Sequence, residues 1–321
     1  MAIQKNGIIV LGAVFVDIKG FPEGAYIPDG RNAGKVKYVH GGVSRNVVED
    51  IANIELRPTF LSIVDDSALG EDVLRKLERH KVNVSYMQRI PNGMGTWLAV
   101  FDQNGDVAGS ISQRPNLESL LTLLEERGDE IFSEADSVVI EVDMDKDIVK
   151  KVIQLCEKYE KKLYGVVSNM SIALERRDFL QRFDCFICNQ QEAGMFFSAD
   201  YSNKVPEEMQ QILSERLQVA NIPSMVITMG GDGSVYADMH GNRGFCPAKK
   251  VDVRDTTGAG DFYAAGFLVG LTRGLSMVQC GTIGAIAAGR VIEVTGTTLA
   301  DETWTEIDRL IRRVEAGGYL F

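Results

Sequence analysis

Cysteine is scarce in this sequence, with five residues in a chain of 321. An odd number of cysteines, with no secretory signal pattern at the start of the sequence, predicts reduced thiols and a cytoplasmic location. Cys185 and Cys188 are close in sequence, but no second pair exists to complete a zinc site. Residues three apart on a strand also point to opposite faces. We therefore expect neither a disulfide scaffold nor a zinc centre.

Basic residues and long apolar runs are lacking as well. The chain has 34 Lys and Arg against 45 Asp and Glu, which gives a net charge of −11. Nucleic acids and anionic membranes bind basic faces, so we expect neither as a partner. No apolar run approaches the roughly 20 residues of a membrane span. An anionic ligand would therefore need a local anion site.

The apolar runs that are present are short. Residues 8–16 form a continuous run rich in β-branched side chains, which is typical of a strand buried on both faces of a parallel sheet. After residue 117, helix patterns alternate with strand patterns, and the strands fall at 137–142, 162–167, 183–188 and 224–228. This alternation predicts an α/β fold of parallel strands joined by crossover helices. A closing helix is predicted at 304–315.

Two segments lie outside this alternation. Residues 21–38 are rich in Gly, Pro and Asn, which predicts a functional flap. Residues 96–101 and 107–111 alternate on either side of Asn104-Gly105, which predicts a β-hairpin. Together these segments predict a small β-sheet lid, built from about 18–40 and 95–113, over the strand ends. An exposed lid sheet is often a dimer contact, so we expect a homodimer through the lid.

The run Asp-Thr-Thr-Gly-Ala-Gly-Asp at 255–261 precedes a predicted helix. Free N–H groups and the helix dipole favour an anion such as a phosphoryl group at such an N-terminus. Asp261, in the first turn, could accept a proton from a hydroxyl. The alternative is a tight turn in which Asp261 only complements the dipole. Other phosphate loops do not fit, because Asp29 and Tyr263 stand where a Walker A loop and a dinucleotide fingerprint require glycine.

Polar groups and glycines near the start of the chain predict a ligand site. Asp17 follows the first predicted strand, at the edge where open α/β sheets bind ligands. Gly41 and Gly42 open a helix and allow close approach of a ligand to the backbone. Asn46, one turn into that helix, can hydrogen-bond vicinal hydroxyls with both groups of its amide. Each of these signals is weak by itself.

Two further junctions predict a nucleotide site. Asn189 and Glu192 begin a helix directly after a strand, so both side chains could hold a hydrated Mg²⁺ or simply start the helix. The Gly-rich turn 228–233 follows another strand and lets a nucleotide phosphate or ribose approach the backbone.

These five motifs, in this order and spacing, resemble the ribokinase-like (PfkB) carbohydrate kinases, and the resemblance covers essentially the whole chain. It implies a single domain over 1–321: a three-layer α/β/α sandwich with a mostly parallel central sheet and a small β-sheet lid. It also implies an ATP-dependent phosphotransferase that acts on a hydroxyl of a small sugar or nucleoside.

The resemblance also implies roles for the motif residues. Acceptor binding falls to Asp17, Gly41, Gly42, Arg45 and Asn46. The anion hole falls to Gly258, Ala259 and Gly260, and the catalytic base is Asp261. ATP binding falls to Thr228, Gly230 and Gly233, and Mg²⁺ to Asn189 and Glu192 through water. Some relatives bind a monovalent cation near the position of Asp255, which leaves a K⁺ site open.

A closer resemblance is to the pseudouridine kinase branch, on the segments 12–20, 32–36 and 41–46, in which an Arg precedes the acceptor-binding Asn. The preferred acceptor is therefore the ribose 5′-hydroxyl of pseudouridine. The alternatives are a free sugar, an N-nucleoside, or a non-catalytic sugar or nucleoside sensor. For Arg45 the alternative is a surface ion pair with Glu49, four residues on. The chain departs from the family at 167–170, where an expected Asp is missing.

Overall fold

A computed structural model describes residues 6–54, 56–252, 256, 258–293, 309, 312–314 and 316–317. Asp255, near which a K⁺ site was considered from the sequence, lies outside these residues. Most of the closing helix predicted at 304–315 also lies outside them. In the described parts of the chain, no helix is both long enough and apolar enough to cross a membrane.

The strands and helices follow each other in the expected order. The strands are β1 Gly7–Leu11, β2 Phe15–Pro22, β3 Gly34–Gly41, β4 Thr59–Leu61, β5 Ile63–Val64, β6 Gln88–Arg89, β7 Gly95–Phe101, β8 Val107–Gln113, β9 Ala135–Glu141, β10 Lys162–Val166, β11 Cys185–Asn189, β12 Ser224–Thr228, β13 Ser234–Asp238 and β14 Arg243–Cys246. The helices are α1 Val43–Asn53, α2 Ala68–Arg79, α3 Glu118–Ser133, α4 Lys146–Lys158, α5 Met170–Ala173, α6 Arg177–Leu180, α7 Gln190–Phe197, α8 Pro206–Ala220, α9 Ala259–Thr272 and α10 Met277–Ile292, with 3₁₀ turns at Leu174–Arg176 and Gly230–Asp232.

The large sheet has eight strands in the order β14-β13-β12-β11-β10-β9-β1-β4. The strands from β4 to β12 in this order are parallel. The two strands at the other edge, β13 and β14, are antiparallel and form the last hairpin. The predicted mostly parallel sheet is confirmed. The carboxyl ends of its parallel strands meet at one edge, where this kind of sheet binds ligands.

Two apolar cores, one on each face of the large sheet, make the fold three-layered. Ile9 and Leu11 of β1 belong to the core under α3, α4, α7 and α8. Ile8 and Val10 of the same strand belong to the core under α1, α2, α9 and α10. Successive strand residues point to opposite faces, so a strand buried on both faces is apolar throughout. The predicted α/β/α sandwich is therefore confirmed.

One strand was predicted wrongly. Residues 8–16 are not a single strand, because the chain leaves the large sheet after Leu11 and enters a second sheet at Phe15. Asp17 consequently lies in that second sheet and not at the end of a central strand. Ala13 and Val14, in the connection, are as buried as the strands themselves. Hydrophobicity therefore gives no sign of the break.

The second sheet is the predicted lid. Its four strands have the order β3-β2-β7-β8. The predicted hairpin is confirmed as β7 and β8, and its loop is held by the Asp102 carboxylate, which accepts from the N–H groups of Asn104 at 2.8 Å and Asp106 at 2.9 Å. The predicted flap at 21–38 is only partly irregular, since its two ends belong to β2 and β3.

Helices α9 and α10 pack closely against each other through small residues. A Cβ added at Gly266 would lie 3.1 Å from the Cα of Gly284, so the two backbones are nearly in contact. All five cysteines are buried and unpaired. Cys185 and Cys188 lie in the cores on opposite faces of the sheet, as expected for residues three apart on a strand.

Candidate active site

The N-terminus of α9 is open at the ligand edge of the sheet. Its N-cap residue is Gly258, which has φ 78° and gives no side-chain cap. Ala259 donates its N–H to the Thr256 carbonyl at 3.2 Å, within the loop. A Cβ added at Gly260 would meet no atom within 4 Å, so there is open space in front of this residue. The first N–H groups of a helix have no acceptor inside the helix, so an anion can bind here.

Asp261 lies in the first turn of α9 and contacts Asn46 of α1. Nδ2 of Asn46 donates to Oδ2 of Asp261 at 2.6 Å, a bond between residues 215 positions apart. Burial raises the pKa of Asp261 to about 6, while the Asn46 hydrogen bond and the Arg45 charge lower it and the charges of Glu192 and Asp17 raise it. A carboxyl with this pKa is ionised at neutral pH and still basic enough to take a proton.

Both groups of the Asn46 amide have protein partners. The amide oxygen accepts from Nη2 of the Arg45 guanidinium, and this Nη2 atom also donates to the His40 carbonyl at 2.7 Å. Nη1 of Arg45 pairs with Glu49, and both side chains are almost fully buried. The Arg45–Glu49 pair therefore exists, but it is not a surface pair. Acceptor binding by Arg45 and Asn46 stays a prediction.

Asp17 projects from the lid toward the start of α1. A Cβ added at Gly41 would lie 2.3 Å from Oδ1 of Asp17, so only glycine leaves room for this carboxylate. Gly42 is the N-cap of α1 with φ 100°, a conformation that favours glycine. Burial raises the pKa of Asp17, and Lys19, whose Nζ is 3.5 Å from Oδ2, lowers it. The sequence analysis missed Lys19, which only its alternation with Asp17 on β2 could have indicated.

Aromatic rings cover the face of the lid that carries Asp17, and the sequence analysis did not single them out. Trp97 is directly opposite Asp17 across β2 and β7, and Nζ of Lys19 lies 5.6 Å from the centre of its ring. Phe21 and Phe101, farther out on the same face, stack with ring centres 4.7 Å apart. A planar ligand could stack on this surface.

Asn189 and Glu192 form a capping box at the start of α7. The Asn189 side chain accepts from the Glu192 N–H at 2.8 Å, and the Glu192 carboxylate accepts from the Asn189 N–H at 2.7 Å. Asn189 and Glu192 therefore do start the helix, as the alternative in the sequence analysis states. Burial and the charge of Asp143 raise the pKa of Glu192. Asp143 acts on Glu192 electrostatically, and carboxylates such as these two are ligands that suit a hydrated divalent cation. No group of three metal-ligating side chains occurs among the described residues.

The predicted ATP turn follows β12, next to α7. Thr228 is paired with Asn189 across β11 and β12, and both line an open cleft of about 910 Å³. Gly230 has φ 57° and open space beside it. Gly233 has φ 96°, and a Cβ there would lie 2.2 Å from the Cys246 carbonyl, so this glycine is needed for packing. ATP binding by these residues stays a prediction.

Two buried acids at the end of β9 were also missed. Glu141 accepts from the Ser44 N–H at 2.9 Å, and burial raises its pKa well above the usual range. Asp143 accepts from Nη1 of Arg114 at 2.7 Å and from the Ser168 N–H at 3.0 Å. The signal was available, because carboxylates at the carboxyl end of a parallel strand lie at the ligand edge.

The chain is similar to known kinases in sequence and in structure. The sequence model described as pfkB family carbohydrate kinase matches residues 5–304. Guanosine-inosine kinase from Exiguobacterium acetylicum is 34% identical over 299 residues, covering 92% of this chain and 98% of that protein. Pseudouridine kinase from Escherichia coli K12 is 23% identical over 266 residues, covering 82% and 83%. The structure of Arabidopsis thaliana ribokinase with ribose and ATP has a TM-score of 0.79 at 18% identity, covering 95% and 99%.

Proposed function

Because the chain belongs to the pfkB family of carbohydrate kinases and is a sugar or nucleoside kinase, we propose that it transfers the γ-phosphoryl group of ATP to the 5′-hydroxyl of a nucleoside. The observation that carries this proposal is the Asn46–Asp261 hydrogen bond beside the open N-terminus of α9. It sets a carboxylate of suitable pKa next to a site for a transferring phosphoryl group.

In the proposed mechanism, Asp261 accepts the proton of the acceptor hydroxyl as the hydroxyl oxygen attacks the γ-phosphorus of ATP. The bond from that phosphorus to the β,γ-bridging oxygen breaks, and ADP leaves. The Asn46 amide holds the carboxylate in place, and Asp17 binds the ribose hydroxyls. The N–H groups in the first turn of α9 stabilise charge on the transferring group, where phosphoryl-transfer catalysis mostly lies. Ala259 contributes least, because its N–H already has an acceptor in the loop.

Bound Mg²⁺ would neutralise charge on the phosphates. Glu192, with Asp143 nearby, would hold it through water, and Asn189 would keep Glu192 in place through the capping box. Dependence on K⁺ stays a prediction, because Asp255 lies outside the described residues.

The lid supports a nucleoside in preference to a free sugar. A ribose held by Asp17 would place its base along the lid face, where Trp97 and the stacked Phe21 and Phe101 offer aromatic surface. Stacking of a base on an aromatic ring contributes about 1–3 kcal/mol. A free pentose lacks a planar base that could stack on this surface.

Among nucleosides, a purine nucleoside such as inosine or guanosine is the first candidate. The guanosine-inosine kinase from E. acetylicum is 34% identical over 299 residues, against 23% over 266 for the pseudouridine kinase. Pseudouridine, the acceptor preferred from the sequence, is the second candidate and stays a prediction.

The test is ATP turnover with Mg²⁺ against inosine, guanosine, adenosine, pseudouridine, uridine and ribose, with the product identified by mass. We expect selective formation of a nucleoside 5′-monophosphate. Preference for ribose would overturn the nucleoside acceptor, and no turnover with any acceptor would favour the sensor alternative. Replacing Trp97 by Ala should raise the nucleoside KM about 10-fold and leave any turnover of ribose unchanged.

We further propose that the protein is a cytoplasmic homodimer joined through the outer face of the lid. Tyr38, Ile18, Leu98 and Ile111 lie opposite one another across its four strands, and Tyr38 is 61% and Ile111 70% exposed. A twofold contact needs one self-complementary patch, which this apolar row provides.

Light scattering during gel filtration tests the dimer. Ile111→Glu should give a monomer. Val219→Glu, at an exposed apolar residue of α8 outside the lid, should leave the dimer intact. A monomeric unmodified protein would overturn this proposal.

A further inference from the structure

Arg45 lies in a buried polar cluster behind the proposed base. Its Nη1 pairs with Glu49, and its Nη2 donates to the His40 carbonyl and to the amide oxygen of Asn46. The carboxylate of Glu49 in turn lies 3.1 Å from Nζ of Lys76 on α2. The guanidinium is therefore held from α1 and β3, and its counter-ion is held from α2.

Such a buried cluster is a poor way to stabilise a fold. Removing two charges from water costs several kcal/mol per ion, and well-packed apolar residues of similar volume often serve as well or better. Arg45 is 1% exposed and Glu49 is 1% exposed, so both carry this cost in full. Stability alone therefore does not account for the Arg45–Glu49 pair.

The chemistry of the two neighbours of Asn46 dictates which way its amide points. Arginine has only donors, so the atom of Asn46 that faces Arg45 must be the oxygen. An ionised Asp261 has only acceptors, so the atom that faces it must be the amide nitrogen. The structure shows this arrangement, with Nδ2 of Asn46 2.6 Å from the Asp261 carboxylate. Without the Arg45 donor, the amide could turn over and present its oxygen to Asp261.

We propose that Arg45 is a positioning residue, which fixes the amide of Asn46 so that its nitrogen donates to Asp261 and holds that carboxylate in one orientation. This inference rests on the proposed role of Asp261 as the base. It gives Arg45 an effect on catalysis without contact to the acceptor. It also gives Glu49 a role, as the counter-ion that anchors the guanidinium.

The charged groups around Asp261 give the proposal a pH signature. Arg45 lowers the pKa of Asp261, as does the Asn46 hydrogen bond, and Asp17 from β2 and Glu192 from α7 raise it. Asp50 of α1 also faces Asp261, and burial followed by the charges of Glu49 and Asp261 raises its pKa well above the usual range. Loss of the Arg45 charge and of its hydrogen bond to Asn46 therefore raises the pKa of Asp261. The acid limb of the pH–activity profile then moves to higher pH.

The main test is a double variant that removes both buried charges, Arg45→Met with Glu49→Met. We expect kcat to fall about 10- to 100-fold while the acceptor KM changes little, because a misplaced base affects the chemical step more than binding. We expect the acid limb of kcat to move up by about half a pH unit or more. The terminal phosphate of ATP titrates in the same pH range, but it does so with every variant and therefore causes no difference between them.

A second variant keeps a charge beside Glu49, in case the double variant does not fold. Arg45→Lys has one nitrogen in place of the guanidinium fork, so it cannot reproduce the two-nitrogen geometry in which Nη1 binds Glu49 and Nη2 binds His40 and Asn46. We expect the same direction of change in kcat and in pH profile. The matched control is Lys204→Met with Glu208→Met, an exposed pair with the same sequence spacing at the start of α8, which should change neither kcat nor the pH profile.

A combination with Asn46→Ala separates positioning from direct action. If Arg45 acts through Asn46, adding Arg45→Lys to Asn46→Ala should cost no further kcat. Independent, additive losses would overturn the proposal, as would a raised acceptor KM with unchanged kcat, which would mean direct acceptor binding. An unchanged kcat and pH profile would leave Arg45 a structural role only. Failure of Asp261→Asn to reduce turnover would instead reject the proposed base itself.

Discussion

The N-termini of α7 and α9 lie at the same edge of the sheet, and each has an acid at the third helical position. In α7, Glu192 turns back to the N-cap N–H, while the Asn189 side chain accepts from the Glu192 N–H. In α9, the N-cap is Gly258, which has no side chain to do this, and Asp261 turns to Asn46. The α7 start supplies side-chain acceptors for its N-cap and third-position N–H groups, whereas the α9 start has no side-chain cap and leaves open space beside Gly260.

Helix α1 shows what fills an open start. Its N-cap is also a glycine, Gly42, and the N–H of its second residue, Ser44, donates to the buried Glu141 at 2.9 Å. The residue at the same position of α9 is Gly260, with open space before it. A carboxylate of the protein thus occupies the α1 start, whereas α9 has room for an external anion. Glycine at the N-cap distinguishes these two starts from the self-capped ones.

Asp261→Asn removes the proposed base from the open helix start and should have the largest effect. We expect turnover to fall by about 10²–10⁴-fold, because the amide cannot accept the hydroxyl proton. Nucleotide binding should persist, since the backbone groups remain. Steady-state kinetics and calorimetric titration with ATP measure the two quantities, and a normal rate would remove Asp261 from the role.

Gly260→Ala fills the space in front of α9 with a methyl group. Gly260 is helical, so alanine should raise the free energy of unfolding by up to about 1 kcal/mol, and the thermal midpoint slightly with it. Turnover should nevertheless fall about 10-fold or more, because the methyl group obstructs the approach of the phosphoryl group. Gly24→Ala also adds a methyl group in open space, in a lid loop, and should change neither quantity. Full activity with higher stability would argue against an anion at this position.

The raised pKa of Asp261 predicts opposite effects of pH on activity and on stability. Turnover should rise with pH through about 6, as the base becomes ionised. Stability should change the other way, because the folded protein holds the Asp261 proton more tightly than the unfolded chain does. The contribution of Asp261 to the free energy of unfolding therefore falls as the pH rises to about 6, and it is constant at higher pH.

Thermal melts of the unmodified protein and Asp261→Asn at several pH values test this directly. The variant should be the more stable of the two at pH 7, and the gap should close as the pH falls below 6. A gap that widens toward low pH would mean that the carboxylate is stabilised by folding.

Asn189→Ala breaks the self-capped start and should have the smallest effect on turnover. We expect a loss of about 1 kcal/mol in stability, because one helical N–H loses its acceptor. The Mg²⁺ concentration needed for half-maximal turnover should rise modestly, because the Glu192 side chain is held less firmly. Ser276→Ala in the similar capping box of α10 should cost the same stability and leave the Mg²⁺ requirement unchanged. A large loss of turnover with Asn189→Ala alone would mean that this residue contacts the nucleotide.

The parts of the fold that depend on neighbours in sequence could be predicted. The alternation of apolar strands and helices gave the parallel sheet, and Asn104-Gly105 gave the lid hairpin. The glycines before α1 and α9 correctly marked two helix starts without side-chain caps. Residues 8–16 were misread because the connection between the two sheets is as buried as the strands, and hydrophobicity does not record which sheet a strand joins.

The partners of each side chain could not be predicted in the same way. Asn46 was expected to use both groups of its amide on acceptor hydroxyls, but the structure joins them to Arg45 and Asp261. Lys19 and Trp97 were missed because their importance comes from what lies beside them after folding.

By itself the sequence determined the three-layer fold and the position of the Gly-Ala-Gly-Asp turn, because periodicity and backbone freedom are local properties. Only the tertiary structure decided that Asp261 contacts Asn46, 215 residues earlier, and that α9 starts open while α7 caps itself. The pKa of Asp261 follows from that contact and from burial, and neither is encoded near residue 261. Hydrogen bonds and desolvation act across space, so the chemistry of this site had to await the folded chain.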